Sequence, residues 1–138
     1  MSIELRQSLE LPSSSLPVVI FGAGSIVGDA HLPAYRRLGF EVAGIYDLDT
    51  AKAAALAERF GTKALATIKQ ATALGAAAVY DIAVPPDAIA SILAVLPEGA
   101  NVVIQKPMGS DLASADAILR VVRARRPAVP VRPSSEWL

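Results

Sequence analysis

The most chemically informative stretch is a Gly-x-Gly turn that follows an apolar, mostly β-branched run at 18–21. A buried strand that enters a tight turn and then a helix leaves unpaired backbone N–H groups at the positive end of the helix dipole. Such a turn suits a pyrophosphate. We therefore predict that a dinucleotide contacts Gly22, Ala23, Gly24, Ser25 and Ile26. The alternative is a turn with no ligand, and Val27 stands where a third glycine is expected.

A second candidate, Asp47, ends the next apolar run, at 40–46. It lies about 20 residues after the glycines, where an acidic side chain accepts hydrogen bonds from the adenosine ribose hydroxyls. A carboxylate there repels a 2′-phosphate, and the next residues are Leu48 and Asp49 rather than an arginine. We therefore predict NAD in preference to NADP. The alternative is a solvated or helix-capping aspartate, although Asp49 fills the capping position better.

Further candidates follow two later apolar runs. The run at 77–84 ends in Ala83 and Val84, directly before the Pro85-Pro86 turn, and we expect all four to border the cofactor. Lys106 follows the run at 101–105 and precedes a proline that favours an extended backbone. We predict that Lys106 points into the ligand cleft, whereas a solvated surface lysine is the alternative. The lone His31 is more consistent with a structural role than a catalytic one.

The elements that must position these residues alternate between strand and helix. Strands are predicted at 17–21, 40–46, 62–66, 77–84, 101–105 and 128–133, and helices at 25–38, 51–60, 67–74, 86–96 and 110–126. Pro33 should kink or restart the first helix. This order predicts a single α/β domain, a three-layer doubly wound parallel sheet at 17–133, with tails at 1–16 and 134–138. Every candidate then lies at the carboxyl ends of strands, where such sheets bind ligands.

Composition limits the function classes. The chain has 138 residues, of which 53% are hydrophobic, enough for one well-formed core. Thirteen basic residues balance thirteen acidic ones, which argues against nucleic acid or an anionic membrane as a partner. With no cysteine and one histidine, no metal site is expected. No signal peptide or membrane-spanning run is evident, so a cytoplasmic location is the expectation.

Several motifs in a fixed order resemble the N-terminal domain of the Gfo/Idh/MocA oxidoreductases. They are Gly22–Ile26 leading to Ala30–Ala34, Gly44–Asp47 with Ala54–Gly61, Asp81–Ala88, and Gln105-Lys106-Pro107. The resemblance implies a Rossmann fold, a nicotinamide dinucleotide, and hydride transfer to or from a sugar or polyol carbon. It also implies that Lys106 matches the lysine of the family's Glu-Lys-Pro motif, near the nicotinamide and substrate, and so is the candidate catalytic residue.

The chain departs from the family pattern in three side chains and in length. Gln105 replaces the usual glutamate, Ile89 a common histidine, and Val84 a common threonine or serine. The family's substrate-binding domain is expected to be absent, which leaves enzymatic activity of the chain alone uncertain. A non-catalytic dinucleotide sensor is therefore an alternative, and a methyltransferase-like nucleotide fold is a third. An exposed apolar cleft side further predicts a homo-oligomer or a missing partner domain.

Overall fold

A five-stranded, fully parallel sheet forms the centre of the protein, in a computed structural model that describes residues 13–125. The strands are β1 (Val18–Phe21), β2 (Val42–Tyr46), β3 (Ala64–Leu65), β4 (Val79–Ile82) and β5 (Asn101–Ile104). Their spatial order is β3-β2-β1-β4-β5. The chain therefore builds outward from β1 to β3, and then returns to place β4 against the other side of β1. This reversal makes the carboxyl ends of β1 and β4 the topological switch point, where open α/β sheets bind ligands.

Helical segments connect the strands. A π-helical turn, Val27–His31, continues into α1 (Leu32–Leu38), and α2 (Thr50–Phe60) and α3 (Ile68–Ala71) follow. Two 3-10 turns, Gly75–Ala77 and Pro86–Ala88, precede β4 and α4 (Ile89–Val95), and α5 (Leu112–Ala124) is the last described helix.

Two hydrophobic clusters fill the opposite faces of the sheet, which confirms the three-layer α/β fold. On one face, Ile20 and Ile45 pack with Val27, Leu32 and Ala53, from the first helical segment and α2. On the other face, side chains of β1, β4 and β5 pack with α4 and α5, and the members with the largest side chains are Phe21, Tyr80, Ile82, Ile89, Leu93, Leu96, Ile104 and Ile118. Strands covered on both faces read as continuous apolar runs, and β1 is buried along its whole length.

Local sequence signals place several helix ends correctly. Asp49 caps α2 by accepting a hydrogen bond from the Lys52 N–H at 3.2 Å, and Gly61 ends the helix in the left-handed conformation. Asp111 and Ser114 form a reciprocal capping box at the start of α5. The restart expected at Pro33 is also present, since the π-helical turn gives way to α1 one residue earlier.

Other boundaries differ from the sequence-based expectation. The segment predicted as a helix at 67–74 holds four residues of α-helix. Gly75, which was expected to end that helix, instead begins a 3-10 turn. The third strand is two residues long, because only Ala64 and Leu65 pair with β2. The predicted sixth strand, at 128–133, and most of the predicted tails lie outside the described residues.

Candidate functional site

Gly22 lies at the crossing of two chain segments. Its φ is +111°, and a Cβ placed on it would lie 2.2 Å from the carbonyl oxygen of Ala83. The glycine is therefore required by the close approach of the chain that leaves β4, independently of any ligand. Its N–H donates to the Tyr46 carbonyl at 2.8 Å, so the turn is also joined to the end of β2.

Gly24, by contrast, faces open space. A Cβ added there would have no atom within 4 Å, and Gly24, Ser25 and Ile26 are all exposed. The Gly24 carbonyl accepts the N–H of Val27 at 3.1 Å, and so begins the helical segment. An anion can therefore approach the backbone of this turn closely, which is what a pyrophosphate site requires.

The packing role expected of a third glycine falls to Gly28. It is buried, and a Cβ there would come within 3.0 Å of Leu56 Cδ2 on α2. Val27, at the position where a glycine was expected, is instead fully buried in the core. The one-residue shift lets the first helical segment lie close to α2 without a glycine at position 27.

Asp47 lies directly beside the glycine turn. Its Oδ2 accepts a hydrogen bond from the Ala23 N–H at 2.7 Å, and its Oδ1 accepts one from the Asp49 N–H at 2.7 Å. The structure thus brings Asp47 into direct contact with the glycine turn, with which its spacing in the sequence had paired it. Each carboxylate oxygen offers about two acceptor positions, so roughly half of the capacity remains available to a ligand.

A cleft of about 350 Å³ opens at the carboxyl ends of β1, β2 and β4. We call it the carboxyl-end cleft. It is lined by Phe21, Gly22, Tyr46, Asp47, Leu48, Ile68, Val84, Pro85, Ala88, Ser91, Ile92 and Val95. A mostly apolar wall with a carboxylate at one end suits a flat aromatic base joined to a ribose.

Of the remaining predicted site residues, Ala83 and Pro86 lie next to residues that line this cleft, whereas Lys106 does not. Ala83 packs against Gly22, and Pro86 begins the 3-10 turn that leads into α4. Lys106 is exposed, two residues beyond the end of β5, and it does not line the carboxyl-end cleft. Its role in catalysis stays a prediction.

A buried polar cluster, which sequence analysis did not assign to a site, lies in the middle of β4. Asp81 is fully buried, and its Oδ2 contacts His31 Nδ1 at 2.7 Å and accepts the Tyr35 hydroxyl at 2.8 Å. Its Oδ1 accepts the Gln105 side-chain amide at 3.5 Å. We call these four residues the Asp81 cluster. The available sequence signal was an acid inside an otherwise apolar strand, in a chain with a single histidine.

Tyr35 acts as a hydrogen-bond donor in this cluster. Burial, followed by the adjacent Asp81 charge and the hydrogen bond to it, raises the pKa of the Tyr35 hydroxyl far above its usual value. The hydroxyl therefore keeps its proton and donates a hydrogen bond to the carboxylate. His31 also contacts Asp81 through a ring nitrogen, which supports the structural role expected for it.

The strand order, the glycine turn at the switch point and the acid at the end of β2 together define a Rossmann-type dinucleotide-binding domain. A family model described as "Oxidoreductase family, NAD-binding Rossmann fold" (GFO_IDH_MocA) matches residues 16–132. The chain therefore belongs to the Gfo/Idh/MocA oxidoreductase family, and the cofactor class of the matched domain is NAD(P). This match also decides against a methyltransferase-like fold.

Solved structures with the same fold are dehydrogenases and reductases. UDP-N-acetylglucosamine 3-dehydrogenase GnnA from Acidithiobacillus ferrooxidans is 21% identical, with a TM-score of 0.68 over 81% of this chain and 36% of its own. The WlbA dehydrogenase from Chromobacterium violaceum, solved with NADH and UDP-GlcNAcA, is 18% identical (TM-score 0.68), over 88% of this chain and 36% of its own. A 3-ketoreductase from Actinomadura kijaniata, solved with NADP and TDP-benzene, is 21% identical (TM-score 0.68), over 88% of this chain and 38% of its own.

These similarities extend over only part of each enzyme. The chain spans little more than a third of the length of the structures it matches. No match was found among curated proteins. Within residues 13–125, no helix is long and apolar enough to cross a membrane, and no group of three or more acidic or histidine side chains could hold a metal ion.

Proposed function

We propose that this chain binds NAD in preference to NADP in the carboxyl-end cleft. The observation that carries the proposal is the 2.7 Å hydrogen bond from the Ala23 N–H to Asp47 Oδ2, because it holds a carboxylate against the glycine turn. Ribose hydroxyls donate to the remaining acceptor positions of Asp47, whereas a 2′-phosphate would meet a negative charge there. The neighbouring Leu48 and Asp49 provide no cation to offset that repulsion.

The fit of the rest of the dinucleotide follows from the turn and the apolar wall. The open space beside Gly24 admits the pyrophosphate to the start of the helical segment. Tyr46, Ile68 and Ile92 give the adenine an apolar surface. The nicotinamide end would then extend toward the carboxyl ends of β4 and β5, where Lys106 lies.

The reaction that we propose for the complete enzyme is reversible hydride transfer with a sugar or polyol. The chemistry that NAD would supply in this site is that of a hydride acceptor for a carbon that carries a hydroxyl group. The hydroxyl proton must leave at the same time, and Lys106 is the residue of this chain that we assign to hold or deliver it. Two similar structures support a sugar as the substrate class, since one is a UDP-N-acetylglucosamine 3-dehydrogenase and the other was solved with UDP-GlcNAcA. A substrate-binding domain would have to complete the site.

A titration of NADH fluorescence against the purified chain tests cofactor binding. We expect Asp47→Asn to weaken NADH binding by between about tenfold and about a hundredfold, because hydrogen bonds to a charged acceptor are worth about 1.5–3 kcal/mol. It should also reduce the preference for NADH over NADPH. Asp49→Asn is the matched control, because asparagine is an equally good helix cap and Asp49 serves α2. Absence of saturable NADH binding at millimolar concentration, or tighter binding of NADPH by the unmodified chain, would refute the proposal.

A second candidate function is a non-catalytic dinucleotide sensor. Gln105 and Ile89 favour it, because they stand where the family commonly carries a glutamate and a histidine. Incubation with NAD and a panel of sugars and polyols separates the two functions. Formation of NADH by the chain, or by the chain together with a substrate domain, favours the oxidoreductase.

We also propose that the carboxyl-end side of the sheet is covered by a second copy or by a partner domain. Leu48 is 90% exposed, Leu112 is 89% exposed and Ile26 is 54% exposed, and all three follow strand ends on this side. Large apolar side chains exposed on one side of a domain favour association. A chain that stays monomeric by light scattering at high concentration would count against self-association.

A further inference from the structure

The Asp81 carboxylate is buried where the fold by itself favours an apolar side chain. It lies in β4, between Ile20 of β1 and Val103 of β5, and is the one fully buried charged residue within 13–125. Transfer of a carboxylate out of water costs several kcal/mol and is offset only by good partners. Replacement of a buried ionic group by an apolar residue of similar size is often neutral or stabilising. Stability therefore does not explain a carboxylate at this position.

The partners of Asp81 come from the segments that border the proposed cofactor site. His31 ends the π-helical turn that begins just after the glycine turn, and its Nδ1 lies 2.7 Å from Asp81 Oδ2. Gln105 directly precedes Lys106, and its amide lies 3.5 Å from Asp81 Oδ1. The Gln105 N–H also donates to the Ile82 carbonyl at 3.2 Å, so the end of β5 is held to β4 at two points.

We propose that Asp81 is a positioning residue of the cofactor site. Through His31 it holds the π-helical turn that follows the glycine turn, and through Gln105 it holds the segment that carries Lys106. The inference rests on the proposed function, since the site it positions is the proposed NAD site. Tyr35 has a different role. It shares Oδ2 with His31 but lies on α1, further from the turn, and it only helps to satisfy the buried charge.

The proton arrangement follows from the chemistry of the groups. An ionised carboxylate only accepts hydrogen bonds. His31 Nδ1 must therefore carry a proton and donate a hydrogen bond to Asp81. When the ring is neutral, Nε2 is then the unprotonated nitrogen. The chain has one histidine, so the ¹⁵N NMR signals of its imidazole belong to His31 without further assignment. We expect the Nδ1–H tautomer in the unmodified chain, measured without cofactor. A neutral ring protonated mainly at Nε2 would overturn the proposal.

The functional test exchanges the charge between β4 and β5. Asp81→Asn removes the carboxylate, and Gln105→Glu places a second carboxylate against the first. Each single variant should weaken NADH binding at least about fivefold, which is the lower end of the couplings measured between sites in proteins. The double variant Asp81→Asn/Gln105→Glu restores one amide and one carboxylate across the same contact. We expect it to bind NADH more tightly than either single variant, because the contact between β4 and the residue after β5 is restored, although His31 then donates to a neutral amide oxygen. A contribution to stability alone would lower the free energy of unfolding of the single variants but would leave the NADH affinity of their folded forms unchanged.

Two variants serve as controls. Asp29→Asn makes the same chemical change as Asp81→Asn, at an exposed position of the π-helical turn that holds His31. It should leave NADH affinity unchanged. Tyr35→Phe removes one hydrogen bond to Asp81, whose charge and contacts with His31 and Gln105 remain. This variant should therefore lower the thermal unfolding temperature and leave NADH affinity close to that of the unmodified chain.

The outcomes separate this proposal from the proposed function. If the unmodified chain binds NADH and Asp81→Asn binds it equally well, the positioning role is wrong and the proposed function stands. If the unmodified chain fails to bind NADH, both are wrong. If Asp81→Asn does not fold, the double variant decides, since a folded double variant that binds NADH no better than Gln105→Glu overturns the proposal.

Discussion

Substitution of Gly22 by alanine should damage the fold itself, whether or not a cofactor is bound. Glycine is needed there because φ is +111° and because a Cβ would lie 2.2 Å from the Ala83 carbonyl oxygen and 2.8 Å from its carbonyl carbon. Both atoms belong to backbone, which cannot rotate away as a flexible side chain can. The ends of β1 and β4 would therefore have to separate.

The cost can be worked out from these contacts. A non-glycine residue at such a φ costs about 1–3 kcal/mol. A carbon–oxygen contact needs about 3.3 Å, so the chains must move apart by about 1 Å. That movement strains the adjacent hydrogen bond from the Ala83 N–H to the Phe21 carbonyl, at 2.8 Å, which is worth about 1 kcal/mol. The sum, about 2–4 kcal/mol, is a large part of the 5–15 kcal/mol typical of a domain.

Urea unfolding followed by circular dichroism measures this loss. The matched control is Gly24→Ala, which makes the same chemical change two residues further along, with nothing within 4 Å of the new Cβ. We expect Gly24→Ala to keep the free energy of unfolding within about 0.5 kcal/mol of the unmodified chain. It should nevertheless weaken NADH binding, because the methyl group occupies the space through which a phosphate reaches the backbone. If Gly22→Ala were as stable as Gly24→Ala, the steric argument would be refuted.

Two further predictions concern stability. The Ser114 N–H, which donates to Asp111 at 2.7 Å, lowers the pKa of that carboxyl in the folded state, so its contribution to stability is present above about pH 4 and is lost as the pH falls. Thermal unfolding between pH 7 and pH 3 should therefore show the unmodified chain losing stability relative to Asp111→Asn, and a constant difference would contradict the mechanism. Tyr80→Phe removes the hydrogen bond to the Gly75 carbonyl at 2.8 Å and should lower the free energy of unfolding by about 1–2 kcal/mol in urea titrations; unchanged stability would show that this bond contributes nothing.

Much of the fold was predictable because its signals are local. Continuous apolar runs marked the strands, and Asp49 with Gly61 marked both ends of α2 within one residue. The helix predicted at 67–74 was too long, because its sequence carries a good cap at Thr67 but little to continue the helix after Ala71. Helices this short depend on tertiary packing more than on propensity, so their ends cannot be located from sequence alone.

The candidate site divides in the same way. The sequence by itself determined the family, the parallel α/β fold and the pairing of a glycine turn with Asp47, because motif spacing encodes which strand ends lie together in such a sheet. Only the tertiary structure decided why Gly22 must be glycine, since its constraint is an Ala83 carbonyl 61 residues further along the chain. It also decided what Asp81 does. A single acid in an apolar strand has no evident partner in one dimension, and its contacts with His31 and Gln105 exist only once the π-helical turn, β4 and β5 have packed.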